Sequence, residues 1–289
     1  MLVATSVVRT RAAGVESTLV LERAVRGLVV RRENLAFDTK YLARAAGALE
    51  PAGHLFMLLA GRFVSDRGEM IPAPVAHLLA DDEMERPTKA SRTFRTDGER
   101  VDVVHLRIAS QHLRPPIGMD AGPIALSPSC WDAAAALVQA APQGDACVLT
   151  NLIDALARAD IVGGEVTSTV IADEPERFRR LWGALSALFK EYGGTTSLKQ
   201  LASSLGMSMR QVGRDAKELA RAFGFGSGYR DVLLAIRLRQ AVLLLSAPDA
   251  GVGDVAKLVG YASPIAMARA FRDAKLPSPS AIQAALRGE

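Results

Sequence analysis

The sequence predicts an α+β fold in three parts: a β-rich N-terminal domain over residues 1–115, a helical linker over 116–172 and an all-α C-terminal domain over 173–289. Three observations carry this prediction. In the first part, short β-capable runs alternate with Gly, Pro and Asp clusters, the spacing of a sandwich or barrel. After a proline-rich stretch, apolar residues switch to helical spacing. In the last part, one helical pattern occurs twice.

Composition sets the outer limits. The chain has 289 residues, of which 49% are hydrophobic and 23% charged, which suits packed domains and excludes a disordered chain. Only 5% are aromatic, so its cores must rest on Ala, Leu and Val. Two cysteines, Cys130 and Cys147, exclude a disulfide scaffold or a four-thiolate zinc site and suit a reducing compartment. Both read as inert, with redox sensitivity the alternative. The first residues show no basic segment followed by a long apolar run, so no signal peptide is expected. The longest apolar-rich stretch, Val232 to Leu245, is interrupted by Arg237, Arg239 and Gln240; a cytoplasmic protein without a membrane partner is expected. Net charge is +4, unevenly spread: from Asp173 onward there are 17 Lys and Arg against 11 Asp and Glu. That excess suits a polyanionic partner.

Taken in order, the expected strands cover residues 17–21, 27–30, 55–60 and 101–108, with turns at 50–53, 66–68, 72–74 and 96–98. Arg86, Lys89, Arg92 and Arg95 form a basic cluster near a turn. It reads as a solvated loop, with an anionic effector site the alternative. Leu113 to Pro128 reads as a linker. Helices are expected over 129–137 and 148–160. In the latter, Leu149, Leu152, Ile153 and Leu156 make an apolar stripe that either the β-rich domain or a second copy must cover. A further helix begins at Asp173. Glu174, Pro175 and Glu176 suit its first turn, and Phe178, Leu181, Trp182, Leu185, Leu188 and Phe189 line one face. Trp131 and Trp182 read as packing residues.

The doubled pattern carries most information. Leu198, Leu201, Ala202, Leu205 and Gly206 correspond to Val252, Val255, Ala256, Val259 and Gly260 at an offset of 54. In each copy apolar residues anchor a first helix, an alanine permits close crossing, and a glycine supplies a left-handed turn. Ser208 and Ser263 are placed to cap a second helix. That helix has apolar residues on one side (Val212, Ala216, Leu219; Met267, Phe271) and arginines at other angles (Arg210, Arg214; Arg269, Arg272). This is the helix-turn-helix arrangement, in which the second helix can enter the DNA major groove. Two ordinary helical hairpins are the plainer alternative.

Residues Phe178 to Leu286 resemble the AraC/XylS family of transcription regulators. The resemblance rests on Leu201-Ala202, Leu205-Gly206-Met207-Ser208, Tyr229-Arg230, Arg237-Leu238, Val255-Ala256, Val259-Gly260-Tyr261, Ser263, Phe271-Arg272 and Pro277-Ser278-Pro279. It implies two helix-turn-helix units bridged by a long helix, with double-stranded DNA of a promoter element as partner, a homodimer, a small-molecule effector and contact with RNA polymerase. Carried onto this sequence, the base-reading candidates are Arg210, Gly213 and Arg214 in the first unit and Pro264, Ile265, Ala268 and Arg269 in the second. Arg210 and Arg214 lie one helical turn apart, and an arginine fork on guanine O6/N7 is worth about 1–3 kcal/mol of discrimination. Lys257 and Arg272 are phosphate candidates, with solvated surface charge as the alternative. Arg237 resembles the family's arginine in the bridging helix, where it ties the two units together.

Residues Leu55 to Leu79, with Leu58-Leu59-Ala60-Gly61, Gly68, Pro72, Pro74 and His77, resemble part of a cupin sensor barrel. The four histidines, His54, His77, His105 and His112, contain no His-x-His pair, so no metal site, cofactor or catalytic residue is expected. A cupin-type metalloenzyme with a helical appendage is one alternative. A protein-interaction regulator whose DNA reading has decayed is the other.

Overall fold

The computed structural model describes residues 2–12, 15–25, 28–37, 41–42, 52–65, 69–80, 93–95, 100–115, 123–140, 146–168, 176–177, 180–181, 183–185, 197–222, 226–245, 250–274 and 276–287. It is an α+β fold with an antiparallel β-rich N-terminal part and a helical C-terminal part.

Strands β1 (Leu2–Ala12), β2 (Val15–Val25), β3 (Leu28–Phe37), β10 (Val101–Ala109), β5 (Ala52–Ala60) and β8 (Val75–Ala80) form one sheet in that spatial order. Strands β4 (Tyr41–Leu42), β9 (Thr93–Arg95), β6 (Arg62–Ser65) and β7 (Met70–Pro72) form a second. The expected strands lie within these elements except for Gly27, which is outside the described residues, and the sequence-predicted runs are shorter because polar flanks pair as readily as apolar centres.

The two-residue period of a strand sorts the large sheet into two faces. Leu28, Val30, Leu55, Met57, Val104, Leu106 and Ile108 fall on one, and they form a single buried cluster with two helices. These are α1 (Pro128–Gln139), which contributes Cys130, Ala134 and Leu137, and α2 (Ala146–Arg158), which contributes Leu149, Leu152, Ile153 and Leu156. The α2 stripe is therefore covered by the chain's own sheet. All four residues are at most 1% exposed, so this stripe has nothing left to offer a second copy. Trp131 packs at the edge of the same cluster.

On the opposite face, Leu58, Val101 and Val103 gather Phe56 and Val75, with Phe63 of β6 packed against them. Further along this face sit His54, His105 and Arg107, all buried. Arg107 pairs with His54 and His105 with Phe56 across the β5/β10 ladder.

Composition predicts a linker at Leu113–Pro128, but its described ends are tied down, one to the segment after α2 and the other to β8. Leu113 bridges Val162, the Arg114 amide donates to the Ile161 carbonyl at 3.1 Å, and the Ile124 amide donates to the Ala76 carbonyl at 2.9 Å. Glu165 of α3 (Glu165–Ser168) accepts from Arg114 Nη2 at 3.0 Å and faces His112 Nδ1 at 3.3 Å. Backbone hydrogen bonding at Glu165, then these two side chains, hold its carboxyl below the usual carboxylate range.

The helix expected from Asp173 begins outside the described residues, as do Phe178, Trp182, Leu188 and Phe189. The described residues between 176 and 185 are helical, with Leu181 and Leu185 buried. Arg86, Lys89 and Arg92 also lie outside the described residues, as do the expected turns at 66–68 and 96–98; Arg95 belongs to β9. Among the described residues, no helix is long and apolar enough to cross a membrane.

Leu152→Ala should lower the unfolding free energy by about 2–5 kcal/mol in urea titration, the range for emptying a packed core site. The native hydrodynamic size should not change. A shift in oligomeric state at unchanged stability would assign the stripe to a subunit interface instead.

Candidate nucleic-acid interface

The C-terminal part consists of α4 (Leu198–Leu205), α5 (Met209–Ala222), α6 (Tyr229–Leu245), α7 (Val252–Leu258), α8 (Pro264–Asp273) and α9 (Pro279–Arg287). The pair α4/α5 is the first expected hairpin and α7/α8 the second.

Local chemistry starts and stops these helices. Ser197 accepts from the Gln200 amide at 3.1 Å while its own amide donates to Gln200 Oε1 at 2.8 Å, a reciprocal cap. Helix α4 ends at Gly206, whose φ of +63° lies in the left-handed region. The Met207 amide reaches back to Ala202 and the Gly206 amide to Ser203, satisfying two terminal carbonyls. The second hairpin repeats this: Gly260 has φ of +82°, the Tyr261 amide donates to Ala256 and the Gly260 amide to Lys257. Ser208 and Ser263 cap their helices as expected, accepting from Gln211 and Ala266 amides at 3.2 and 3.1 Å.

The caps also carry the alignment of the two copies past the turn. An offset of 54 holds only as far as the glycine. The second turn carries one more residue, Ala262, so the second helices of the two hairpins correspond at an offset of 55. Arg210 then matches Ile265, Gly213 matches Ala268, Arg214 matches Arg269 and Lys217 matches Arg272.

Each helix divides cleanly. In α5, Val212, Ala216, Leu219 and Ala220 are buried with Leu201 and Ala202 of α4 and with Leu181 and Leu185. Arg210, Arg214, Lys217 and Arg221 are all exposed. They fall at i, i+4, i+7 and i+11, one basic stripe down the helix. The sequence reading found only the first two; the other two follow from extending the same spacing. In α8, Met267 and Phe271 are buried, and Ile265, Arg269 and Arg272 are exposed at i, i+4 and i+7. Ile265 is 72% exposed, unusual for a large apolar side chain. With Ala268, Arg269, Arg272, Leu276 and Ser278 it lines an open groove of about 410 Å³. Pro264 is exposed at the helix start, and Gly213 and Ala268 are half-buried. Lys257 is exposed on α7, the first helix of the second unit.

Arg214 is not left to wander. Its Nη2 donates to Gln211 Oε1, and Gln211 Nε2 donates to Asp215 at 2.9 and 3.1 Å. The Asp215 carboxylate is buried and faces Arg177 Nε at 3.8 Å, and Arg177 Nη2 donates to Glu218 at 3.0 Å. A charge-assisted chain thus runs from the exposed stripe into the first unit's core.

The two units share α6. Tyr229, Val232 and Ala235 belong to the first core; Leu238, Ala241, Val242, Leu244 and Leu245 belong to the second, with Val255, Ala256, Val259, Met267 and Phe271. Arg237 stands between them. Its guanidinium lies 5.7 Å from the centre of the Tyr261 ring, a cation–π distance. Burial pushes the Tyr229 and Tyr261 hydroxyls above the ordinary phenol range, and the Arg237 charge pulls both back down. One side chain therefore acts on a tyrosine from each unit.

The β-rich part supplies a different polar feature. His54 Nδ1 and His105 Nε2 are 2.9 Å apart, one ring donating and the other accepting, and His105 stacks on Phe56 at 4.2 Å. The sequence reading missed this pair because its members lie 51 residues apart. His77 is half-buried and bridges Pro123. Among the described residues, no three His, Cys, Asp or Glu side chains converge as metal ligands. Cys130 is buried beside Ser127 Oγ at 3.3 Å, and Cys147 is exposed.

No protein-family model and no curated protein matches the chain. Several solved structures do. One of ToxT from Vibrio cholerae strain SCE256 with an unsaturated fatty acid bound is 14% identical, covering 93% of this chain and 99% of its own, with a TM-score of 0.39. ToxT from Vibrio cholerae O395 is 12% identical, covering 92% and 100%, at 0.38. A cupin 2 conserved barrel domain protein from Rhodopseudomonas palustris is 12% identical, covering 43% and 79%, at 0.25. These scores are low, and the candidate interface is described from this chain's own residues.

Both tyrosines ionise later in the folded chain than in the unfolded one. Their contribution to stability is therefore complete below about pH 10, the unfolded value, and is lost as pH rises toward the folded values. Arg237→Ala should move tyrosinate formation to still higher pH in an absorbance titration. It should also cost about 0.5–2 kcal/mol of stability near neutral pH, the range for a partly desolvated cation–π contact.

Proposed function

We propose that this protein is a sequence-specific DNA-binding transcription regulator of the AraC/XylS kind, and not an enzyme. The observation that carries the reading is the exposed stripe Arg210, Arg214, Lys217 and Arg221 on a helix whose opposite side is buried, followed by a second hairpin of the same build. Cations on one helix side, with donors toward the helix start, suit a phosphate-lined major groove. Arg210 and Arg214 read bases, Arg214 held in place through Gln211 and Asp215. Lys257 and Arg272 take phosphates and set the register of the protein on the duplex.

In this reading the chain works as three parts: residues 1–115 as a cupin-like regulatory domain, 116–172 as the connecting helices packed on it, and 173–289 as the DNA-binding domain. The regulatory domain modulates binding through a small-molecule effector or self-association. Self-association must use a surface other than the α2 stripe, which the sheet covers. RNA polymerase is the partner through which binding alters transcription, and the protein acts in the cytoplasm.

The test is selection of bound duplexes from a random-sequence pool by the full chain. Enrichment of a defined motif is expected; recovery of the pool unchanged would sink the proposal. Arg210→Ala should relax base preference at one position and cost about 1–3 kcal/mol. Lys257→Ala should instead weaken all sequences alike and reduce the salt slope by about one. Equal effects of the two variants on specific and random DNA would remove the base-reading assignment.

A further inference from the structure

The two groove-facing helices share a build but differ in chemistry at matched positions. Capping serines fix the correspondence, and it places Ile265 where the first unit has Arg210. Within α8 the other stripe cations keep their charge: Arg214 becomes Arg269 and Lys217 becomes Arg272, while the half-buried Gly213 becomes Ala268; the counterpart of Arg221 is Leu276, beyond the end of α8. Within α8 the loss of charge therefore falls at the stripe position nearest the helix start, the part of such a helix that approaches base edges.

An exposed isoleucine on an otherwise basic surface needs a reason. Ile265 is 72% exposed and contributes nothing to the second core, which is closed by Met267 and Phe271. It borders a groove whose other lining includes Ala268 and two guanidiniums, Arg269 and Arg272. Those cations favour a polyanion over an apolar protein surface. Isoleucine has no donor or acceptor, so it cannot read the hydrogen-bonding pattern of a base pair. The one base feature it can read is the thymine 5-methyl group, which projects into the major groove.

We propose that Ile265 makes the second unit a thymine-methyl reader, so that the DNA site is chemically asymmetric: guanine read by arginine under the first unit, thymine read by apolar contact under the second. Ala268, one turn further along, leaves room for the methyl group beside Ile265. Arg269 and Arg272 hold the flanking backbone. This rests on the regulator reading and deepens it by naming what the second hairpin recognises.

The test starts from duplexes selected by the full chain from a random-sequence pool. Each thymine in the selected motif is replaced in turn by deoxyuridine, which removes the methyl group and leaves the base pair intact. At least one replacement should weaken binding about fourfold, the fold-change that corresponds to about 0.8 kcal/mol for one buried carbon. Replacements under the first unit should have no effect. Ile265→Ala should lower affinity for the thymine duplex and abolish the deoxyuridine sensitivity at that position, with helical content unchanged because Ile265 is exposed. A selected motif that tolerates every replacement, or full sensitivity retained in Ile265→Ala, would overturn the inference and leave the regulator reading standing. So would an unimpaired DNA affinity in Ile265→Ala together with loss of a bound protein. Failure to select any motif would overturn both.

Discussion

The C-terminal part depends on a single helix serving two cores. Tyr229, Val232 and Ala235 close the first core, and the residues from Leu238 onward close the second. Successive steps of three residues turn by about 60° around a helix, so this apolar track winds around α6 instead of staying on one side. That is why the stretch looks apolar enough in sequence to invite comparison with a membrane span, while carrying Arg237 at its centre. The arginine sits where one core ends and the next begins, against Tyr261 and within electrostatic reach of Tyr229. Neither hairpin can rotate about α6 without opening a core.

Much of this was legible in the residues. The doubled hairpin, its caps and its glycines are local devices, each decided within a few positions, and local chemistry is what a single sequence displays best. The inserted Ala262 is legible as well, because the expected caps Ser208 and Ser263 stand 55 residues apart while the apolar anchors stand 54 apart; the serine hydrogen bonds agree with that spacing. The basic stripe was half seen, because Lys217 and Arg221 continue a spacing whose first two members alone had drawn notice.

Long-range facts were harder. The α2 stripe announced that something must cover it, and periodicity cannot say whether the cover is a sheet or a second molecule. Here it is the face of β3, β5, β8 and β10. Likewise, nothing local pairs His54 with His105. Their meeting requires the β5/β10 register, which puts His54 opposite Arg107 and His105 opposite Phe56. A large sheet with one apolar face and a partly polar buried opposite face does not advertise the second from composition, since the same strands supply both.

The shared helix also makes the molecule intolerant of one kind of genetic change. With 17 residues, α6 measures about 25 Å, and each residue inserted or deleted adds or removes about 1.5 Å and swings everything beyond it by about 100°. Side-chain drift along α6 alters packing by degrees, whereas a one-codon indel would throw α8 onto a different azimuth from α5. The turns are the places that can take such a change, and the second hairpin's extra Ala262 lengthens one turn while Ser263 still caps the helix that follows.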